Sequence, residues 1–144
     1  MKPRIRLARW HELLVLAVLA GLLATGVVWL VFQYLVAPNP MGMHPVQAWS
    51  VRIHGALAMA MLLVCGSLLP NHVSVAWRSR RNRRSGSLML AALLGLAVTG
   101  WLLYYASSEA LRDVSSLCHW IAGLLLPALL GWHLLQRHKA RREA

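Results

Sequence analysis

LCHWIAGLLLPALLGWHLL, residues 117–135, is the stretch that decides the fold. A helix needs roughly 20 mostly apolar residues, at 1.5 Å of rise each, to cross the hydrocarbon core of a bilayer. This stretch has that length, and His119 and His133 are its polar interruptions. The two are 14 residues apart, close to four helical turns and about 21 Å of rise, so both imidazoles return to one helix face within roughly 40°.

Working outward, three more runs pass the same length test: Leu13 to Phe32, Ile53 to Pro70 and Leu88 to Ala106. Lipid offers the backbone no hydrogen-bond partner, so runs this rich in Leu and Ala are expected as helices. The spans are expected over 11–36, 50–70, 86–106 and 115–136. Of 144 residues, 58% are hydrophobic and 13% charged, far from the usual soluble mixture. The connections are too short for another domain. The chain therefore reads as one all-α integral membrane domain, 1–144, folded as a four-helix transmembrane bundle of up-down topology. No internal repeat or low-complexity segment stands out, and there is no Gly-rich phosphate loop or nucleophile elbow.

A net charge of +11 raises nucleic acid as a partner, but its distribution argues against that. Lys2, Arg4, Arg6 and Arg9 precede the first span; Arg78, Arg80, Arg81, Arg83 and Arg84 lie between the second and third; Arg137, Lys139, Arg141 and Arg142 follow the fourth. The other connections, Ala37 to Ser50 and Ser107 to Ser116, contain Arg112, with Arg52 at the mouth of the second span. The positive-inside rule then puts both termini in the cytoplasm, as in a multi-pass protein of a bacterial inner (plasma) membrane. The run around Arg80 is a topology signal before it is anything else, and contact with anionic lipid headgroups fits it.

The N-terminus imitates a secretory signal, but its apolar run is long and no A-x-A site follows, so it is read as the first helix. Cys118 falls near the outer end of the fourth helix and Cys65 about 16 Å inward along the second, depths that disfavour a bridge between them.

Ionisable groups at membrane depth are costly, so the histidines need a reason. His54 lies one turn into the second span and His119 a few residues into the fourth, so they are expected to meet near the outer face. His133 lies one turn from the cytoplasmic end, where its candidate partners are His11 and His72. Two histidine pairs stacked across a bundle suit bis-histidine ligation of two haem b groups. A structural zinc site would instead gather four ligands at one depth. The bland alternative is buried histidine bonded to backbone carbonyls.

For the inner partner, His54 to His72 spans 18 residues, about 27 Å of rise against about 21 Å for His119 to His133, so His72 overshoots by about a turn. Pro70 also intervenes and tends to end or kink a helix. His11 is favoured and His72 is the alternative, which strong helix tilt would restore.

His11 behind Arg9 and Trp10, Thr25-Gly26 later in the same helix, one His beginning the second helix and His-x13-His in the fourth resemble the four-helix di-haem b-type cytochromes. That family includes the membrane subunits of nickel-iron hydrogenases and formate dehydrogenases and small stand-alone bacterial b cytochromes. The resemblance covers essentially the whole chain. It implies His11 with His133 at the cytoplasmic-side haem and His54 with His119 at the outer one. It also implies quinone or quinol at one face, a redox partner protein or complex subunit at the other, and electron relay rather than a complete enzyme. The chain departs from the family in its shortness, its compact loops and the additional His72.

Further features fit less specifically. Gly55, Gly66, Gly123 and Gly131 leave room for a flat ring or for close helix packing. Arg52 and Arg112 are candidate propionate partners of the outer haem, and Arg9 or Arg78 of the inner one. Trp49, Trp101, Trp120, Tyr104 and Tyr105 read as an aromatic belt. Glu109, Arg112 and Asp113 form a mixed-charge outer loop suited to docking a partner. Glu12 beside His11 is placed to handle a quinone proton, although a first-turn Glu also suits the helix dipole. A different reading is copper handling by Met41, Met43 and His44, continued by Met59, Met61 and Cys65. A third is a cofactor-free assembly or anchor subunit.

Overall fold

The computed structural model describes residues 9–78 and 83–142, with side chains at 9–70, 72–78 and 83–136. The described residues are mostly helical: α1 Arg9–Tyr34, α2 Pro45–Leu68, a π-helical turn Leu69–Val73, α3 Ser74–Arg78, α4 Arg83–Tyr105 and α5 Glu109–Arg142. Four of these helices, α1, α2, α4 and α5, are long and apolar enough to cross a membrane. Lys2, Arg4, Arg6, Arg80 and Arg81 lie outside the described residues, as do the side chains of Arg137, Lys139, Arg141 and Arg142.

The chain divides into two units, Met1–His72 and Val73–Ala144. Within the first, α1 packs on α2; within the second, α4 packs on α5. Each is a helical hairpin whose large apolar side chains mostly point outward. Leu13, Leu63, Leu125 and Leu135 are all more than half exposed. Such outward Leu-rich faces are expected where the solvent is lipid, because hydrocarbon is as apolar as the side chain. Between the helices the buried residues are small or polar as often as large: Val18, Met61, Val64, Gln47 and Ser50 in the first hairpin, Leu126, Ser85 and Ser115 in the second. Gln47 closes the first hairpin near its loop, its Nε2 donating to Gln33 Oε1 at 3.0 Å.

Helix boundaries depart from the hydropathy reading in an orderly way. α2 starts at Pro45 rather than 50, because His44 caps it: His44 Nδ1 accepts from the Val46 N–H at 3.2 Å, and proline suits the first turn, where its missing N–H is not needed. α5 starts at Glu109 rather than 115, with the Leu111 N–H donating to Ser108 Oγ at 3.4 Å. Glu109, Arg112 and Asp113, expected in a loop, are therefore helical. His54 and His119 then lie nine and ten residues into their helices rather than near the start, deeper than expected. α4 covers 83–105 against the expected 86–106, and α1 9–34 against 11–36. The α-helix of the second span ends at Leu68, just before Pro70, as the proline led one to expect. Pro70 falls in the π turn, whose extra residue accommodates a ring that clashes with an α-helical i−4 carbonyl, and helical backbone resumes through Arg78. α5 runs unbroken through Pro127, which keeps His119 and His133 on one helix.

Candidate histidine rungs within each hairpin

Each hairpin is crossed by two side-chain hydrogen bonds that join a histidine on one helix to a hydroxyl on the other. In the first hairpin the rung nearer the loop joins α1 to α2. Thr25 Oγ1 lies 2.9 Å from His54 Nδ1. A threonine inside a helix can return its hydroxyl to its own backbone, and Thr25 Oγ1 donates to Gly21 O at 2.8 Å and Leu22 O at 3.1 Å. Gly26, the next residue, lets the ring come close: a Cβ there would lie 3.6 Å from His54 Cε1.

The rung at the open end of the same hairpin joins His11 Nε2 to Ser67 Oγ at 3.2 Å, and Ser67 Oγ in turn donates to Val64 O at 2.7 Å. Trp10 stacks on His11, ring centroids 3.8 Å apart and planes 22° apart.

The second hairpin repeats the scheme with both histidines on α5. Near the loop, Thr99 Oγ1 lies 2.9 Å from His119 Nδ1 while donating to Gly95 O at 2.7 Å and Leu96 O at 3.2 Å. A Cβ on Gly100 would meet His119 Cε1 at 3.3 Å. At the open end, His133 Nδ1 lies 3.0 Å from Ser85 Oγ, and a Cβ on Gly86 would meet His133 Cε1 at 3.9 Å. Ser85 is the most completely buried side chain described.

These bonds expose an internal repeat that the bare sequence reading passes over. GLLATG at 21–26 and GLAVTG at 95–100 share G-L-x-x-T-G, and in both copies the Thr hydroxyl bonds the Gly carbonyl four residues back and the histidine of the facing helix. Spacing agrees as well. His11 to Thr25, Ser85 to Thr99 and His119 to His133 are each 14 residues, and His54 to Ser67 is 13, so the rungs of each hairpin are about 20 Å apart by helical rise.

All four histidines singled out as ligands, His11, His54, His119 and His133, therefore occupy rungs. His54 and His11 lie in one hairpin, His119 and His133 in the other. His72 sits half-buried on the π turn beyond Ser67 and belongs to neither described rung of its hairpin. The hydroxyls of Ser67, Ser85 and Thr99 and the glycines at 86 and 100 escaped the sequence reading, although Thr25-Gly26 did not. Their common signal is a hydroxyl followed by Gly, present at Thr25, Ser85 and Thr99 and absent at Ser67. Of the glycines expected to admit a ring, a Cβ on Gly66 or Gly131 would meet nothing, and one on Gly123 would face Leu96.

The other candidates are accounted for locally. Arg52 lies over the Trp49 ring, 5.2 Å from its centroid, a cation–π contact on an exposed face. Arg112 is exposed in the second turn of α5. His44 is occupied as the cap of α2 and lies 4.6 Å from the Phe32 ring, while Met41 and Met43 are exposed beside it. Glu12 falls in the first turn of α1, where the helix dipole favours a carboxylate. Trp49, Trp101, Tyr104 and Tyr105 are exposed. Both cysteines are free thiols.

Chemically, the rungs fix imidazoles without charge. A histidine held by a hydroxyl through one nitrogen has its ring plane set and its other nitrogen directed elsewhere, which is how metal-binding histidines are oriented. Glycines against the Cε1 edge keep the space beside the ring clear. Imidazole nitrogens in an apolar surround are donors of the kind that haem iron takes, and His11, His54, His119 and His133 would supply them. Comparison with known protein families, curated proteins and solved structures finds no match for this chain.

Proposed function

We propose that the chain is a membrane di-haem b cytochrome that relays electrons across the bilayer between the quinone pool and a redox partner, as a subunit of a respiratory or redox complex. The observation that supports this most is that four histidines, two per hairpin and about 20 Å apart by rise, are each held by a neutral hydroxyl from the facing helix. Polar groups at such depth are expensive, and an unligated structural histidine would not call for a rung spacing of 14 residues in three helices and 13 in the fourth.

In this reading the four long helices form an up-down bundle in a bacterial inner membrane with both termini cytoplasmic, as the cation distribution favours. His54 with His119 would hold the outer haem and His11 with His133 the inner one. Bound there, each haem would supply a one-electron iron couple, held by two imidazoles in an apolar surround. In this reading the chain's own hydroxyls orient the imidazoles, and the 14 residues between His119 and His133 set the two sites about 21 Å apart by helical rise. Arg52 and Arg112 would serve the outer propionates, which requires Arg52 to leave Trp49. The copper reading gains less support, because His44 serves as the cap of α2 and Met41 and Met43 beside it are exposed.

The test is haem content by rung. His54→Ala and His119→Ala should each remove the same single haem, recognised by its α-band and potential, and His133→Ala the other. A chain that keeps both haems in all three variants rules the assignment out. His11→Ala against His72→Ala then decides the inner partner, with loss expected for His11 alone.

A further inference from the structure

We infer that Thr25 and Thr99 are paired positioning residues that lock His54 and His119 in one tautomer, proton on Nδ1 and lone pair on Nε2, whereas Ser67 locks His11 in the opposite one. The step follows from counting protons. A hydroxyl has one proton to give and two lone pairs to receive. Thr25 Oγ1 lies 2.8 Å from Gly21 O, and Thr99 Oγ1 lies 2.7 Å from Gly95 O. Two oxygens that close, neither charged, repel unless a proton lies between them, so each threonine proton is committed to its own helix backbone. The remaining contact, to the histidine Nδ1 at 2.9 Å in both copies, must then be filled by the imidazole's proton. Neutral imidazole carries one N–H, so Nε2 is left as the electron-pair donor.

The same count at the open end of the first hairpin gives the opposite result. Ser67 Oγ commits its proton to Val64 O at 2.7 Å, so the contact at 3.2 Å is donated by His11 Nε2–H, and the lone pair of His11 rests on Nδ1. The loop-side rungs of the two hairpins are therefore chemical copies, and the His11 rung is not. Each loop-side imidazole donates into a chain that runs through a hydroxyl to a backbone carbonyl. Such a chain increases the basicity of the nitrogen left to ligate and fixes the ring plane. For His11 to ligate through Nε2, its bond to Ser67 must open first.

The tautomers stand on hydrogen bonding alone; their positioning role toward haem rests on the proposed function, and one experiment separates the two. The full chain, labelled with 15N-histidine and reconstituted in lipid nanodiscs without haem, reports each ring by NMR, since protonated and unprotonated ring nitrogens have well separated shifts. Single His→Gln variants assign the signals. The expected result is Nδ1–H for His54 and His119 and Nε2–H for His11. Thr25→Val, which keeps shape and removes the hydroxyl, should abolish the preference at His54 alone, and Thr99→Val at His119 alone. Thr25→Ser and Thr99→Ser should restore it. Nε2–H at His54 or His119 in the unmodified chain, or valine variants that leave the shifts unchanged, overturns the inference. Should a valine variant fail to fold, the unmodified chain and the serine variants still decide. Haemin is then added: the valine variants should bind one of two haems about tenfold more weakly, with recovery in the serine variants. A chain with the stated tautomers that takes up no haem removes the proposed function and leaves the tautomers standing.

Discussion

A single methyl group discriminates between two glycines of α4. Added at position 100, it would lie 3.3 Å from His119 Cε1, closer than ordinary van der Waals contact, and the ring would have to give; at position 95, one turn away in the same helix, it meets nothing. Gly100→Ala should therefore shift the spectrum of one haem or weaken its binding on the order of tenfold, by disturbing ring orientation. Gly95→Ala should change neither. Equal behaviour of the two variants in a haemin titration would contradict the role given to Gly100. His119 and His133 were legible at this scale because a polar ring in an apolar helix has no cheap explanation. Thr99 and Ser85 were not, because a hydroxyl in such a helix can satisfy itself on its own backbone, and only the facing helix reveals a second partner.

Among the elements, length and apolarity sufficed to find all four long helices, and their ends were the weaker part of the reading. The opening turns of α2 and α5 contain Gln47, Arg112 and Asp113, which the hydropathy reading left outside the spans. Capping decides instead: His44 supplies a nitrogen acceptor to α2 and Ser108 an oxygen acceptor to α5. Ser108→Ala should lower stability by about 1 kcal/mol, the usual cost of a lost N-cap, measured by reversible unfolding in mixed micelles. His44→Ala should cost a similar amount at α2 while leaving haem content and redox spectrum intact. Loss of a bound metal in that variant would instead revive the copper reading. Pro70 was expected to end or kink the second span. The α-helix does stop at Leu68, and the π turn at Leu69–Val73 accommodates the ring before helical backbone resumes at Ser74.

For the whole molecule, two similar hairpins were hidden in plain sight. Every span is rich in Leu and Ala, and this shared composition masks the six-residue G-L-x-x-T-G match until hydrogen bonds align the copies. Topology is the separate question that charge addresses. Met41 sits in the α1–α2 connection and is 95% exposed, and both native cysteines are free thiols. Met41→Cys in a chain lacking Cys65 and Cys118 should react with a membrane-impermeant maleimide from outside intact spheroplasts. Labelling only after lysis would reverse the orientation proposed from the basic residues. The central claim, that the four rung histidines hold two haems, is met most directly by a pyridine haemochrome count on the purified full chain from haem-replete cells. The account predicts two b haems per chain, reducible and reoxidisable in the visible spectrum. A purified, folded chain without a Soret band would contradict it.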